Sequence, residues 1–193
     1  SAVYRPETKA WYRKLTPWLL STLHPDLHGG IKGHEAVEAS WDAQSDIETA
    51  LLAKVKLVFG SYDYKKFFDS FDYDFTEQML TRHGIPADLV RLWINLYKEL
   101  KRAIKVGKHV GEEYSEFNGF SQRDPFSLLP ALVLPSIQFV MMDQEFPMVR
   151  KGAVIDDRFF RGSLQDIVDS HAVVNLFDEL SGHCLQDDKT TFA

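Results

Sequence analysis

Two acidic stretches in apolar surroundings carry the chemistry this chain can offer. Val154-Ile155-Asp156-Asp157-Arg158-Phe159-Phe160 sets adjacent carboxylates in an apolar run, and Tyr62-Asp63-Tyr64-Lys65-Lys66-Phe67-Phe68-Asp69 sets another among aromatics. An ionised carboxylate withdrawn from water needs a countercharge, hydrogen bonds or a metal. If the strand before Asp63 lies beside a hairpin that turns at Asp156-Asp157, three carboxylates meet at one sheet end. They repel one another unless divalent cations sit between them. Such a cluster suits hard, oxygen-preferring magnesium. Two ions about 3.5–4 Å apart activate an attacking 3′-hydroxyl and stabilise leaving pyrophosphate, which is nucleotidyl-transfer chemistry. The same residues also fit a metal-free reading, because Asp pairs are common at hairpin turns.

The elements that must position these groups follow from periodicity. Residues 7–22 read as helix with a break at Thr16-Pro17, and His24 to Gly33 as loop. Glu35 to Ala53 reads as helix with Val37, Trp41, Ile47, Leu51 and Leu52 near helical spacing, leading into a strand at Val55 to Phe59. Tyr73 to His83 reads as a helix closed by Gly84. Pro86 opens another, striped by Leu89, Leu92, Trp93, Leu96 and Leu100. Ala103 to Val106 and Tyr114 to Phe117 read as a hairpin. Phe126 to Met142 reads as a buried helix, Gly152 to Ile155 and Arg158 to Arg161 as a second hairpin, and Leu164 to Leu180 as the last helix. Strands and helices without regular βαβ alternation predict an α+β domain with an antiparallel sheet.

The 193 residues, 45% hydrophobic and 26% charged, suffice for one sizeable core. A net charge of −6 argues against a free-standing nucleic-acid binder. The basic group Lys98, Lys101, Arg102, Lys105 and Lys108 reads as a solvated face. A single cysteine, Cys184, excludes a disulfide framework and favours a reducing compartment. The polar stretch Ser1 to Arg13 lacks a signal-peptide core, so an intracellular, non-secreted protein is expected. The apolar run falls short of the roughly 20 residues a bilayer requires, so no membrane span is expected. His24, His28 and His34 share a loop region without the paired Cys or tight His spacing of a closed zinc site, and read as loop histidines.

In order along the chain, several motifs resemble those of reverse transcriptases, in particular the palms of non-LTR retroelement and group II intron enzymes. Asp63-Tyr64-Lys65-Lys66-Phe67-Phe68-Asp69 resembles the first palm motif, and Asn118-Gly119-Phe120-Ser121-Gln122 with Asp124-Pro125 resembles the Gln-Gly motif. Val154-Ile155-Asp156-Asp157 is similar to the tyrosine-x-Asp-Asp turn. Gly182 with Lys189-Thr190 resembles the following motif that ends in lysine. Upstream, Tyr4-Arg5-Pro6 resembles a fingers segment, as does His28-Gly29-Gly30 through Gly33.

The resemblance implies a polymerase palm with flanking helices, partial fingers over residues 1–56, a palm over 57–193 and no thumb. It implies Asp63, Asp156 and Asp157 as catalytic ligands of two Mg2+ ions and Lys189 as a proton donor or nearby positive charge. Arg5 and Gln122 would meet the substrate, and Phe68 would exclude a 2′-hydroxyl, favouring DNA synthesis on a nucleic-acid template-primer with dNTPs.

Arg123 departs from the pattern. The family has glycine after the motif glutamine, where the backbone nears the nucleotide, so a long cation is expected to obstruct that substrate-binding pocket. Val154 replaces the motif tyrosine. Two functions therefore stand: an RNA-directed DNA polymerase, or a catalytically inactive domesticated relative serving with protein partners as a subunit of a larger complex.

Overall fold

The computed structural model describes residues 4–186 and 188–193; Ser1 to Val3 of the expected fingers segment and Asp187 of the expected palm lie outside them. Helix α1 (Tyr4–Thr22) leads to the short strand β1 (Leu27–His28), α2 (Ala36–Ala53) and β2 (Val58–Tyr62). A 3₁₀ turn (Phe67–Asp69) and helices α3 (Tyr73–His83) and α4 (Ala87–Glu99) follow. Two small ribbons come next, formed by β3 (Lys101–Arg102), β4 (Lys105–Val106), β5 (His109–Val110) and β6 (Tyr114–Ser115). A second 3₁₀ turn (Pro125–Ser127) enters α5 (Leu128–Glu145). The hairpin β7 (Arg150–Val154) and β8 (Asp157–Gly162), helix α6 (Leu164–Leu180) and β9 (Thr191–Phe192) complete the chain.

The main sheet has the order β1-β7-β8-β2-β9. All its pairings are antiparallel except β1 with β7, which is parallel. The α+β class and the antiparallel hairpin are as expected. Helix α5 contributes eleven buried residues, Leu132, Val133 and Phe139 among them, and Phe139 meets Phe160 of β8 edge-on at 5.9 Å. Residues Pro125–Glu145 are long and apolar enough to cross a bilayer, longer than the sequence reading allowed. That stretch is nevertheless 72% buried within the fold, as a core helix is.

Several expectations change on folding. Helix α1 runs through Pro17 without the expected break; Thr16 donates its hydroxyl to the Tyr12 carbonyl and so is no N-cap, while Tyr12 and Leu19 anchor both halves in the core. Strand β2 starts at Val58 rather than Val55, because its partner β8 ends at Gly162 opposite Val58 and leaves nothing to pair with residues 55–57. The single expected hairpin is two nested ribbons, β3 with β6 and β4 with β5.

Two helices present different faces from those their leucines suggested. In α4 Trp93 of the expected stripe is buried, joined by Val90, Ile94 and Tyr97, while Leu92 and Leu96, and Leu100 just beyond the helix, are exposed. In α2 only Ala39 and Ala50 are buried, and Val37, Trp41, Ile47, Leu51 and Leu52 face outward. Small residues permit α2 to approach the sheet closely, which the larger apolar side chains would prevent. The basic group around the ribbons is solvated as expected, with Lys98 bonded to Asp74 at 2.6 Å and Arg102 3.7 Å from Glu116.

Candidate active site at the sheet rim

The pairing of β2 with β8 sets Tyr62 opposite Arg158, so the next residue on one strand, Asp63, faces the preceding residue on the other, Asp157. The turn has the expected two residues but falls one position earlier than expected. Val154 pairs with Asp157, leaving Ile155-Asp156 as a two-residue connection with Asp157 already on β8. Ile155 has φ +60, a left-handed conformation that a β-branched residue rarely adopts. Its amide donates to the His28 carbonyl at 3.2 Å, so β1 helps hold the turn.

The carboxylates also act on one another electrostatically. Burial, and then the negative charges of Asp156 and Asp63, push the Asp157 carboxyl above the usual carboxylate range, with Lys189 opposing them. Lys189 Nζ lies 3.1 Å from Asp63 Oδ2. The C-terminal segment delivers this lysine: Lys65 N–H donates to the Cys184 carbonyl and Gln186 N–H to the Asp63 carbonyl, at 2.9 and 2.8 Å. Oxygen donors at mutually repelling positions have the right chemistry for hard divalent cations. The three carboxylates do not bring their donor atoms within 4.8 Å of one another, and Asp63 faces the Lys189 ammonium.

A buried network that sequence reading missed sits beneath the rim. Arg158 is fully buried, with Nη1 2.9 Å from both Asp178 Oδ1 and Tyr64 Oη and 2.8 Å from Gln138 Oε1. Its guanidinium also lies 4.3 Å from the Tyr64 ring centroid. Since Tyr64 follows Asp63 and Arg158 follows Asp157, this network ties together the strands that carry the acidic side chains. The one sequence signal was an arginine in an apolar strand; its partners come from the segment after β2 and from α5 and α6.

His183 fills an aromatic cage nearby, 4.6 and 4.9 Å from the ring centroids of Phe71 and Phe67. Burial first, and then repulsion from Arg158, pushes its pKa from 6.5 down to about 4. A histidine depressed in the folded state contributes stability that is complete above pH ~6.5 and lost as pH falls toward ~4. At about 1.4 kcal/mol per pH unit, the full loss is about 3 kcal/mol. Urea unfolding across this window should show that decline in the wild type, and a slope smaller by one proton in His183→Gln.

Arg5, Gln122 and Arg123, distant in sequence, line one cleft of about 600 Å³ together with Lys9, Pro125 and Leu128. Arg123 is exposed on this wall. Its neighbour Asp124 is buried and accepts from Tyr4 Oη at 2.6 Å and from Trp93 Nε1 and Tyr97 Oη, both at 2.9 Å. That acceptor fastens the start of α1 and the face of α4 to the cleft wall. Phe68 is not an open floor; it is 8% exposed and packs edge-on against Phe67 within the core. The segment resembling the Gln-Gly motif crosses its 3₁₀ turn, and only glycine fits at Gly119, where φ is +84 and a Cβ would lie 2.8 Å from Asp69 Cα.

The sequence matches no protein-family model and no curated protein. Solved structures match the fold. Telomerase from Candida tropicalis in complex with a fragment of telomeric RNA superposes with TM-score 0.70 at 12% identity, over 96% of this chain and 33% of that one. Telomerase from Candida albicans, also with telomeric RNA, gives 0.70 at 12% over 100% and 34%. Apo telomerase from Candida tropicalis truncated from its C-terminal domain gives 0.66 at 14% over 100% and 41%. The chain thus spans about a third to two fifths of the length of these neighbours. Telomerase is a reverse-transcriptase-related enzyme, and the fold of this chain is reverse-transcriptase-like.

Proposed function

We propose that this chain is the palm, residues 57–193, with part of the fingers, residues 1–56, of an RNA-directed DNA polymerase. The observation that carries the reading is the meeting of Asp63 with Asp156 and Asp157 at one sheet rim, where burial and then the charges of Asp156 and Asp63 raise the Asp157 carboxyl. Asp63, Asp156 and Asp157 would hold two Mg2+ ions, which supply activation of the primer 3′-hydroxyl and neutralisation of the triphosphate. Lys189, released from Asp63, would stand beside the leaving pyrophosphate with an ammonium proton to give. Arg5, Lys9 and Gln122 would bind phosphate in the basic cleft, whose wall Arg123 also lines. The RNA fragment bound in two of the neighbouring telomerase structures supports nucleic acid as a partner.

A second reading, a non-enzymatic subunit bound to protein partners, is favoured by Arg123 in place of glycine and by the closed Lys189–Asp63 pair. Extension of a DNA primer on an RNA template with dNTPs and Mg2+, assayed in the protein that carries this domain, separates the two. Extension should fall by about a thousandfold in Asp156→Ala and in Asp63→Ala, and by about a hundredfold in Lys189→Ala. If neither the wild type nor Arg123→Gly extends the primer above the Asp156→Ala background, the enzyme reading is lost.

A further inference from the structure

We propose that His28, His34 and Glu38 form a site for one divalent transition-metal ion of the zinc class, separate from the aspartate rim, and that this ion braces the turn bearing Asp156. A nitrogen of each imidazole and a carboxylate oxygen of Glu38 lie within 4.8 Å of one another. His28 Nδ1 and Glu38 Oε2 are 3.6 Å apart, and the two rings lie 6.2 Å between centroids. Around a tetrahedral zinc with bonds of about 2.0–2.1 Å, donor atoms stand about 3.3 Å apart. The first pair is thus close to the spacing of two ligands on one ion, and the third donor lies within 4.8 Å of both.

An independent observation points to a ligand. His28 is 7% exposed, and its Nδ1 is shut off from water without a hydrogen-bond partner. Buried polar atoms are otherwise almost always satisfied, and 3.6 Å is too long for a hydrogen bond to Glu38. A metal in this position would supply what the nitrogen lacks. Hydrogen bonds also pin the backbone here: Gly29 N–H donates to the His34 carbonyl at 2.7 Å, and His34 N–H to the Ile31 carbonyl at 3.2 Å. His34 is half-buried and Glu38 exposed in the first turn of α2, so the remaining coordination position opens toward water. Two imidazoles with one carboxylate select zinc-like ions over magnesium, which prefers all-oxygen sites.

The ion would act on the rim through the backbone. His28 registers against Val154, and its carbonyl receives the Ile155 amide at 3.2 Å. Fixing His28 therefore fixes the two-residue turn that positions Asp156.

The test is Zn2+ titration of the chelator-stripped protein against a chromophoric competitor, with Co2+ absorption as a second probe and thermal unfolding as a third. One equivalent should bind and raise the unfolding temperature. His34→Ala and Glu38→Gln, both at accessible positions and checked by circular dichroism without metal, should each weaken binding by more than about a hundredfold, since outer-shell partners alone cost roughly ten- to a hundredfold. Asp156→Asn and Cys184→Ser should bind zinc as the wild type does, and millimolar Mg2+ should not compete. Unchanged affinity in His34→Ala and Glu38→Gln, loss of binding in Cys184→Ser, or displacement by Mg2+ would each overturn the proposal.

Discussion

Substitution of Asp124 by leucine should lower the unfolding free energy by about 4 kcal/mol, among the largest single-residue effects in the domain. The carboxylate accepts from Tyr4, Trp93 and Tyr97 side chains and from the Phe126 amide. Leucine keeps the branched skeleton, with methyls bulkier than the carboxylate oxygens, and leaves two deeply buried donors, on Trp93 and Tyr97, with nothing to meet; each orphaned donor costs about 1–3 kcal/mol. Asp124→Asn should cost about half as much, because one amide oxygen still accepts while its NH2 confronts other donors. Urea unfolding at neutral pH measures both. The triple Trp93→Phe/Tyr97→Phe/Asp124→Leu should recover part of the loss, since the two deeply buried side-chain donors then leave with the acceptor while Tyr4 and the Phe126 amide stay behind. Equal stability of Asp124→Leu and wild type would mean that the anchor contributes nothing and that packing alone holds α1 to the cleft.

The aspartate rim was legible in the sequence because its signal is local. A strand ending before Asp63 and a hairpin turning near Asp156 need only pair in register to bring the charges together, and the β2–β8 ladder does so. Helices α3 and α6 were equally readable: Asp72 caps α3 by accepting from the Phe75 amide, Gly84 ends it at φ +108, and Ser163 caps α6 through the Asp166 amide.

What could not be read depends on partners far along the chain. The buried face of α4 is turned by Trp93 and Tyr97 because their polar tips reach Asp124, a target no helical spacing reveals. Strands β1 and β9, two residues each, exist only because β7 and β2 offer free edges. The histidines read as loop residues converge with Glu38 because positive-φ glycines at 29, 30 and 33 fold the loop back on α2. Phe68 looked like a gate by motif, yet in this structure its ring belongs to the core.

Removal of Arg158 is expected to be as damaging as loss of Asp124, and its pH dependence identifies the cause. Arg158→Met keeps most of the side-chain volume but leaves Asp178 buried without its cation, a change that costs about 3–5 kcal/mol when one member of a buried pair is deleted. Burial already pushes the Asp178 carboxyl up, while Arg158 and the hydrogen bonds from Tyr64 and Gln138 pull it down. Without Arg158 the carboxyl rises further and escapes by taking a proton. A carboxyl raised in the folded state contributes stability that is present below its unfolded pKa and lost as pH rises through the folded value. The deficit of Arg158→Met relative to wild type should therefore be larger at pH 8 than at pH 5. Loss of the cation also relieves His183, which Arg158 holds down, and this too favours the variant at the acid end. Asp178→Asn placed on the Arg158→Met background should remove the alkaline part of the deficit, since no charge is then left to bury. A deficit independent of pH, unchanged by that second substitution, would show that Arg158 acts through packing against Tyr64 and Phe67 rather than as the countercharge that joins the two acidic strands.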